Sequence, residues 1–114
     1  MRLTLKGNVW DKYYPYVGLY VLQIDDTRNG KKYWLHRSGR FALWWDPYSK
    51  WMIGLKEKLG HNHGSISGQP GNSNWPILIK EGWTYYIQNN DYFYPSSAGD
   101  IQFTYHPEDE SKYS

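Results

Sequence analysis

The sequence predicts an all-β domain, an antiparallel meander that curls into a small barrel or sandwich. Seven tryptophans, twelve tyrosines and three phenylalanines stand in a chain of 114 residues, and aromatic residues favour strands. They occur in short runs, each closed by Gly, Asn, Asp, Pro or Ser, as the runs of a compact β domain are. The length fits one domain, and the absence of cysteine means that its core forms without disulfides.

The first half of the chain reads as a succession of strands and tight turns. Asn29-Gly30 suits the positive φ angles of a two-residue hairpin turn, and Asp46-Pro47 begins another turn. A third turn spans 37–40. The strands that these turns separate are predicted at 17–24, 31–36, 41–45 and 50–54.

The second half is predicted with longer connections. One helical turn over 55–60 precedes a loop over 61–76, which is rich in Gly, Asn, Ser and His and contains a brief strand at Ile66. Residues 1–106 form the single β domain, and 107–114 form a flexible acidic tail. The later strands are predicted at 77–80, 83–87, 92–94 and 101–105.

Alternation along the strands divides the aromatic side chains between two faces. Trp44 and Trp45 are neighbours on one strand, so they point to opposite faces. When the more apolar set of each strand is assigned to the core, the second face receives Trp34, His36, Trp44 and Tyr86. The predicted core contains Leu19, Val21, Phe41, Leu43, Trp45, Trp51, Ile53, Tyr85 and Ile87.

Charge and composition exclude several classes of function. Without cysteine there are no thiol nucleophiles and no thiolate metal sites. The net charge is +2, but segment 28–58 carries eight Lys or Arg against two acidic residues, and the remainder is acidic. No signal peptide or apolar run of membrane-spanning length is found. We expect a cytoplasmic protein if the chain is complete and an extracellular one if a leader has been removed.

The second aromatic face predicts non-catalytic carbohydrate recognition, because a sugar stacks its C–H face on an aromatic ring while its hydroxyls seek polar groups. If positions summing to 77 or 78 pair in the second hairpin, Trp34 and Trp44 lie about 5 Å apart and form one platform. Donors at its edge would suit an acidic or hydroxyl-rich glycan. The platform includes Tyr86, and the polar partners are His36, Arg37, Arg40, Asn62 and Asn74. The open alternative is that loops cover this face and make it a second core layer.

Other functions are weighed against this one. The same aromatic face could dock a protein partner, since Trp, Tyr and Arg are enriched at interfaces. Single-stranded nucleic acid is disfavoured by the acidic remainder of the chain. His61 and His63 have the spacing of some metal ligands, although a solvated loop explains them better. No nucleophile motif or phosphate loop is found, so we expect no enzyme, no cofactor and a monomer or weak homo-oligomer.

Several short motifs resemble a Trp-rich β module of large multidomain proteins of protists, algae and marine invertebrates. They are G-x-Y at 18–20, N-G-K-x-Y-W at 29–34, L-W-W at 43–45, W-x-I-G at 51–54, W-P at 75–76 and G-W-T-Y-Y at 82–86. Many members carry cysteines in the second half, where this chain has none. A shorter likeness to chitin-binding modules lies in NGKKYW and ALWWDP. Both resemblances imply a binding or interaction module without assigned catalytic residues.

Overall fold

A computed structural model describes residues 2–7, 11–68, 76, 83–89, 92–97 and 101–106. The described part is all-β, as the sequence predicts, with two short 3₁₀ helices at Asp11–Tyr16 and Lys56–Lys58. The strands are β1 (Arg2–Lys6), β2 (Gly18–Arg28), β3 (Lys31–His36), β4 (Phe41–Trp45), β5 (Trp51–Leu55), β6 (Ile66–Ser67), β7 (Thr84–Asn89), β8 (Tyr92–Ser97) and β9 (Gln102–His106).

The turns follow the local chemistry of the sequence. Asn29 and Gly30 have φ angles of 55° and 85°, and Arg28 pairs with Lys31 across this two-residue hairpin. The strands predicted at 31–36 and 41–45 are confirmed at both ends. β1 and the first 3₁₀ helix were not predicted from the sequence. The predicted strand at 77–80 and the predicted tail at 107–114 lie outside the described residues.

All nine strands belong to one sheet, in the order β8-β7-β6-β5-β4-β3-β2-β1-β9, and every pair is antiparallel. The meander curls into a half-barrel. Along the sheet, eight antiparallel steps separate β8 from β9, so these edge strands could only pair as parallel neighbours. Such a connection needs about a dozen residues or more, whereas only four separate Ser97 from Gln102. Direct pairing of β8 with β9 therefore cannot close the barrel.

The inner face of the sheet carries the main core. The first 3₁₀ helix contributes to it: the Tyr13 ring stacks on Tyr85 at 4.2 Å, and the Tyr16 ring lies 4.2 Å from that of Phe41. The buried members are Leu3, Leu5, Tyr13, Tyr16, Tyr20, Trp34, Phe41, Leu43, Trp51, Ile53, Ile66, Trp83, Tyr85, Ile101 and Phe103.

The predicted core of β2 is wrong by one residue. Leu19 and Val21 are only partly buried, whereas Tyr20 is fully buried and Leu22 packs against the main core. The cause is the pairing of Tyr20 with Leu3 of β1, a strand absent from the sequence prediction. Tyr20 is accommodated because its hydroxyl donates to the Tyr16 carbonyl at 2.7 Å, which satisfies the polar atom of an otherwise apolar ring.

The outer face carries a second, smaller core beneath the segment 56–65, which we call the covering loop. Its buried residues are Tyr33, Ala42, Trp44 and Met52, with Leu35 and Leu59 packed against them. A Cβ at Gly54 would lie 2.9 Å from the Gly64 Cα, and a Cβ at Gly64 would clash with the Met52 side chain. The covering loop can therefore lie this close only because both positions are glycine. Of the four residues predicted on the second face, Trp44 lies in this covered layer, so for Trp44 the alternative of a second core layer is confirmed.

Within the described part of the chain, neither helical segment has the length and apolar character needed to span a bilayer.

Candidate functional site

The predicted platform of Trp34 and Trp44 does not exist. Trp34 pairs with Leu43, so the register of this hairpin sums to 77 and places Trp34 and Trp44 on opposite faces. Both indoles are 0% exposed, Trp34 in the main core and Trp44 in the outer cluster. The Trp44 Nε1–H donates to the His61 carbonyl of the covering loop at 2.9 Å. Neither ring is available to a ligand.

His36 lies on the core face beside Trp34 and has a structural role. Its Nε2 is 2.9 Å from the Val17 carbonyl oxygen, which only accepts, so Nε2 carries the hydrogen. Its Nδ1 accepts from the Ser38 backbone N–H at 3.0 Å. Because both ring nitrogens are engaged within the protein, the prediction that His36 supplies a donor to a ligand is wrong.

The aromatic surface lies instead at the turn between β4 and β5. Tyr48, at the tip of this turn, is 65% exposed, and Trp45, where the turn begins, is only partly buried. The Trp45 ring meets that of Trp51 edge-on at 5.2 Å, which holds it against the core. We call Trp45 and Tyr48 the turn platform. The alternation pattern predicts Trp45 wholly in the core, and the turn predicted at Asp46-Pro47 gives no role to Tyr48.

A buried carboxylate holds the turn platform in place. Asp46 is 1% exposed, and its Oδ1 accepts the backbone N–H groups of Tyr48 at 2.9 Å and Lys50 at 3.1 Å. Its Oδ2 lies 3.3 Å from the Lys50 Nζ. These contacts order the turn before any ligand arrives. The Asp46-Pro47-Tyr48 sequence is the signal from which an exposed, rigidly held tyrosine could have been predicted.

Two ammonium groups stand beside these rings. The Lys31 Nζ lies 4.9 Å from the centroid of the Trp45 ring, and the Lys50 Nζ lies 5.6 Å from that of Tyr48, both within the range of cation–π attraction. Lys50 is neutralised by Asp46, whereas Lys31 has no ion pair within the described residues. Asn29 anchors this end of the sheet by donating from Nδ2 to the carbonyls of Trp45 and Gly60.

The other predicted site residues do not assemble around one surface. Arg37 and Arg40 are exposed on the β3–β4 connection, at the opposite end of β4 from the turn platform. Asn62 is exposed in the covering loop. The backbone of Tyr86 lies in β7 opposite Pro95, while its side chain, like the whole of Asn74, lies outside the described part.

His61 and His63 are both exposed in the covering loop. Among the residues that the structure describes, no group of three or more His, Cys, Asp or Glu side chains is placed to hold a metal ion. The His61 carbonyl has the defined role of accepting from Trp44.

Among the described residues, two tyrosines and one carboxylate have shifted pKa values, each with a structural cause. Hydrogen bonds from the Tyr33 hydroxyl and the Arg28 guanidinium lower the pKa of Asp26. Partial desolvation and the bond to Asp26 raise the pKa of Tyr33. Burial raises the pKa of Tyr20 well above 10.0. Tyr20 belongs to the main core, Tyr33 belongs to the second core of the outer face, and Asp26 is exposed, so each pKa shift follows from local packing and hydrogen bonds.

No family model, curated protein or solved structure matches this chain. Functional inference therefore rests on its own residues.

Proposed function

We propose that the protein is a non-catalytic binding module that recognises carbohydrate on the turn platform. The observation that carries the proposal is the 65% exposed Tyr48 ring, three residues after the partly buried Trp45, on a turn that the buried Asp46 holds in place. A preformed aromatic surface suits the apolar face of a sugar ring, because neither partner has to reorganise on binding.

The neighbouring cations indicate which sugars fit best. Lys31 lies over the Trp45 ring without an acidic partner among the described residues. Its ammonium can approach a carboxylate or sulfate carried by a sugar whose ring stacks on the platform. An acidic glycan is therefore the preferred ligand class.

The side chains that could suggest catalysis have structural roles instead. The buried Asp46 holds a turn, Asp26 accepts from Tyr33 and Arg28, and both ring nitrogens of His36 are engaged. A binding role without turnover accounts for all three arrangements.

The experiment is a glycan array followed by calorimetry on the best acidic and neutral oligosaccharides. We expect Tyr48→Ala to weaken binding at least about tenfold, or about 1.4 kcal/mol. The matched control is Tyr14→Ala, since Tyr14 is 67% exposed and lies in the first 3₁₀ helix, outside the platform; its removal leaves affinity unchanged. Lys31→Gln lowers the affinity for acidic oligosaccharides more than the affinity for neutral ones. Lys32→Gln, on the same strand, leaves both affinities unchanged.

Two outcomes would contradict the proposal. One is the absence of binding to any glycan at millimolar concentration. The other is an equal loss of glycan affinity in the Tyr48→Ala and Tyr14→Ala proteins. If the wild type binds no glycan but captures a protein partner, and only Tyr48→Ala abolishes that capture, the ligand of the turn platform is a protein surface and not a carbohydrate.

A further inference from the structure

A group of three exposed basic residues lies at the other end of β4. Arg37 and Arg40 belong to the β3–β4 connection, and Lys56 begins the covering loop. The backbone N–H of Lys56 donates to the Arg40 carbonyl at 2.9 Å, so the two residues are adjacent although 16 positions separate them. We call Arg37, Arg40 and Lys56 the basic corner. The five residues of β4 span about 17 Å at the rise per residue of a β-strand. This length separates the basic corner from the turn platform.

The backbone beneath the basic corner is rigid. The Gly39 N–H donates to the His36 carbonyl at 2.8 Å, and Gly39 has a φ of 78°. This bond closes a β-turn over residues 36–39 that ends in a left-handed glycine. The Ser38 hydroxyl accepts the Arg40 N–H at 3.1 Å and contacts the His36 Nδ1 at 2.8 Å. The two arginines therefore project from a fixed frame.

The basic corner carries positive charge that the described residues do not neutralise. Elsewhere in the basic segment, Arg28 pairs with Asp26, Lys50 pairs with Asp46, and the Lys32 Nζ donates to a carbonyl. Arg37, Arg40 and Lys56 have no ion pair within the described part of the chain, although Glu57 directly follows Lys56 in the sequence. Mutual repulsion of three neighbouring cations is relieved when an anion binds between them.

The hydrogen bonds of the loop decide how an anion would be held. The backbone N–H groups of residues 37–40 are all engaged: that of Arg37 donates to the Leu19 carbonyl at 2.8 Å, and the other three donate within the loop. No backbone donor is left for a ligand, so the guanidinium groups must supply the contacts. The Arg40 guanidinium lies 5.1 Å from the centroid of the Phe41 ring, which limits its rotation before binding.

From these contacts we propose that the basic corner is a second binding site, selective for an oxyanion group: a carboxylate, sulfate or phosphate borne on a larger ligand. These groups present paired oxygens that match the donor fork of a guanidinium. The site is independent of the turn platform and does not require the proposed carbohydrate function.

The first experiment titrates the labelled protein with sodium sulfate, using sodium chloride at equal ionic strength as the reference. Proton–nitrogen spectra follow the Nε–H signals of the arginines. We expect those of Arg37 and Arg40 to shift and saturate with sulfate but not with chloride, while that of Arg28 stays in place. Equal responses to both salts, or shifts that never saturate, would overturn the proposal.

Variants then test the chemistry of the site. Arg40→Lys keeps the charge but loses the donor fork, so sulfate affinity falls at least about threefold, and Arg37→Gln with Arg40→Gln abolishes it. The exposed Lys32→Gln is the charge control and leaves affinity unchanged. Sulfate binding that survives the double variant would overturn the assignment. The Tyr48→Ala protein retains sulfate binding, so failure of the platform and failure of the basic corner are distinguishable.

The source of the oxyanion is settled by comparing larger ligands. Sulfated dextran oligosaccharide, neutral dextran of equal length and a single-stranded oligonucleotide are titrated against the wild type and the double variant. A polyanion that binds the wild type more tightly than inorganic sulfate does, and that no longer binds the double variant, supports the site. If that polyanion is sulfated dextran the source is a sulfate, and if it is the oligonucleotide the source is a phosphate. If neither polyanion binds more tightly than inorganic sulfate, the proposal fails.

Discussion

Removing the ring of Trp44 tests the covered outer face most directly. Trp44 is 0% exposed beneath the covering loop, and a tryptophan brings about 150–250 Å² of surface. At about 25 cal/mol per Å², that burial corresponds to about 4–6 kcal/mol, and core Trp→Ala substitutions cost about 3–5 kcal/mol. We expect Trp44→Ala to lower the free energy of unfolding by about 4 kcal/mol.

The adjacent residue provides the matched control. Trp45 is the same residue type on the same strand, but its ring is only partly buried on the other face. The Trp45 side chain keeps part of its surface in water, so Trp45→Ala removes less buried surface than Trp44→Ala, and we expect a cost of about 3 kcal/mol. Trp44→Phe keeps an aromatic ring and removes the donor to the His61 carbonyl, for a cost of about 1 kcal/mol beyond any packing defect.

Urea denaturation followed by far-ultraviolet circular dichroism measures all three variants. With a slope of about 2 kcal/mol per M, Trp44→Ala lowers the midpoint by about 2 M and Trp45→Ala by about 1.5 M. If Trp44→Ala does not fold, the Phe variant still reports the bond to the covering loop. A cost below about 1 kcal/mol for Trp44→Ala, or a larger cost for Trp45→Ala, would refute the covered face.

Three further predictions concern the covering loop, the turn platform and the exposed carboxylate. Gly64→Ala places a methyl group against Met52, so we expect a loss of about 1–3 kcal/mol in urea denaturation; a neutral result would mean that the loop does not lie on the sheet. Asp46→Ala leaves two turn N–H groups without their acceptor, so the free energy of unfolding should fall by about 2–3 kcal/mol. A fall of less than about 0.5 kcal/mol would contradict the hydrogen-bonded turn. The pKa of Asp26, read from its carboxyl carbon signal, should lie below 3.8 and rise in Tyr33→Phe. Because this pKa is lowered by folding, its contribution to stability is full above the unfolded-state pKa and is lost as pH falls through the folded value; an unchanged midpoint in the variant would exclude the Tyr33 bond as the cause.

Local chemistry was sufficient to predict most of the strands and their turns. Asn29-Gly30 accepts the positive φ angles of a two-residue hairpin, and alternation correctly placed Trp44 and Trp45 on opposite faces. β1 was missed although Arg2–Lys6 alternates strictly between polar and apolar residues, the pattern of a strand. Its pairing with β2 and β9 is visible only in the tertiary structure. That omission also reversed the faces of β2.

The sequence by itself determined an all-β meander, the positions of its hairpin turns and a basic central segment. Only the tertiary structure decided which aromatic rings meet water. The hairpin register sums to 77, one of the two expected values, but it pairs Trp34 with Leu43 and places Trp34 in the main core. The covering loop buries Trp44 through contacts that depend on Gly54 and Gly64. The reason is that alternation assigns a side chain to a face of a strand, whereas the exposure of that face depends on which distant segment packs against it.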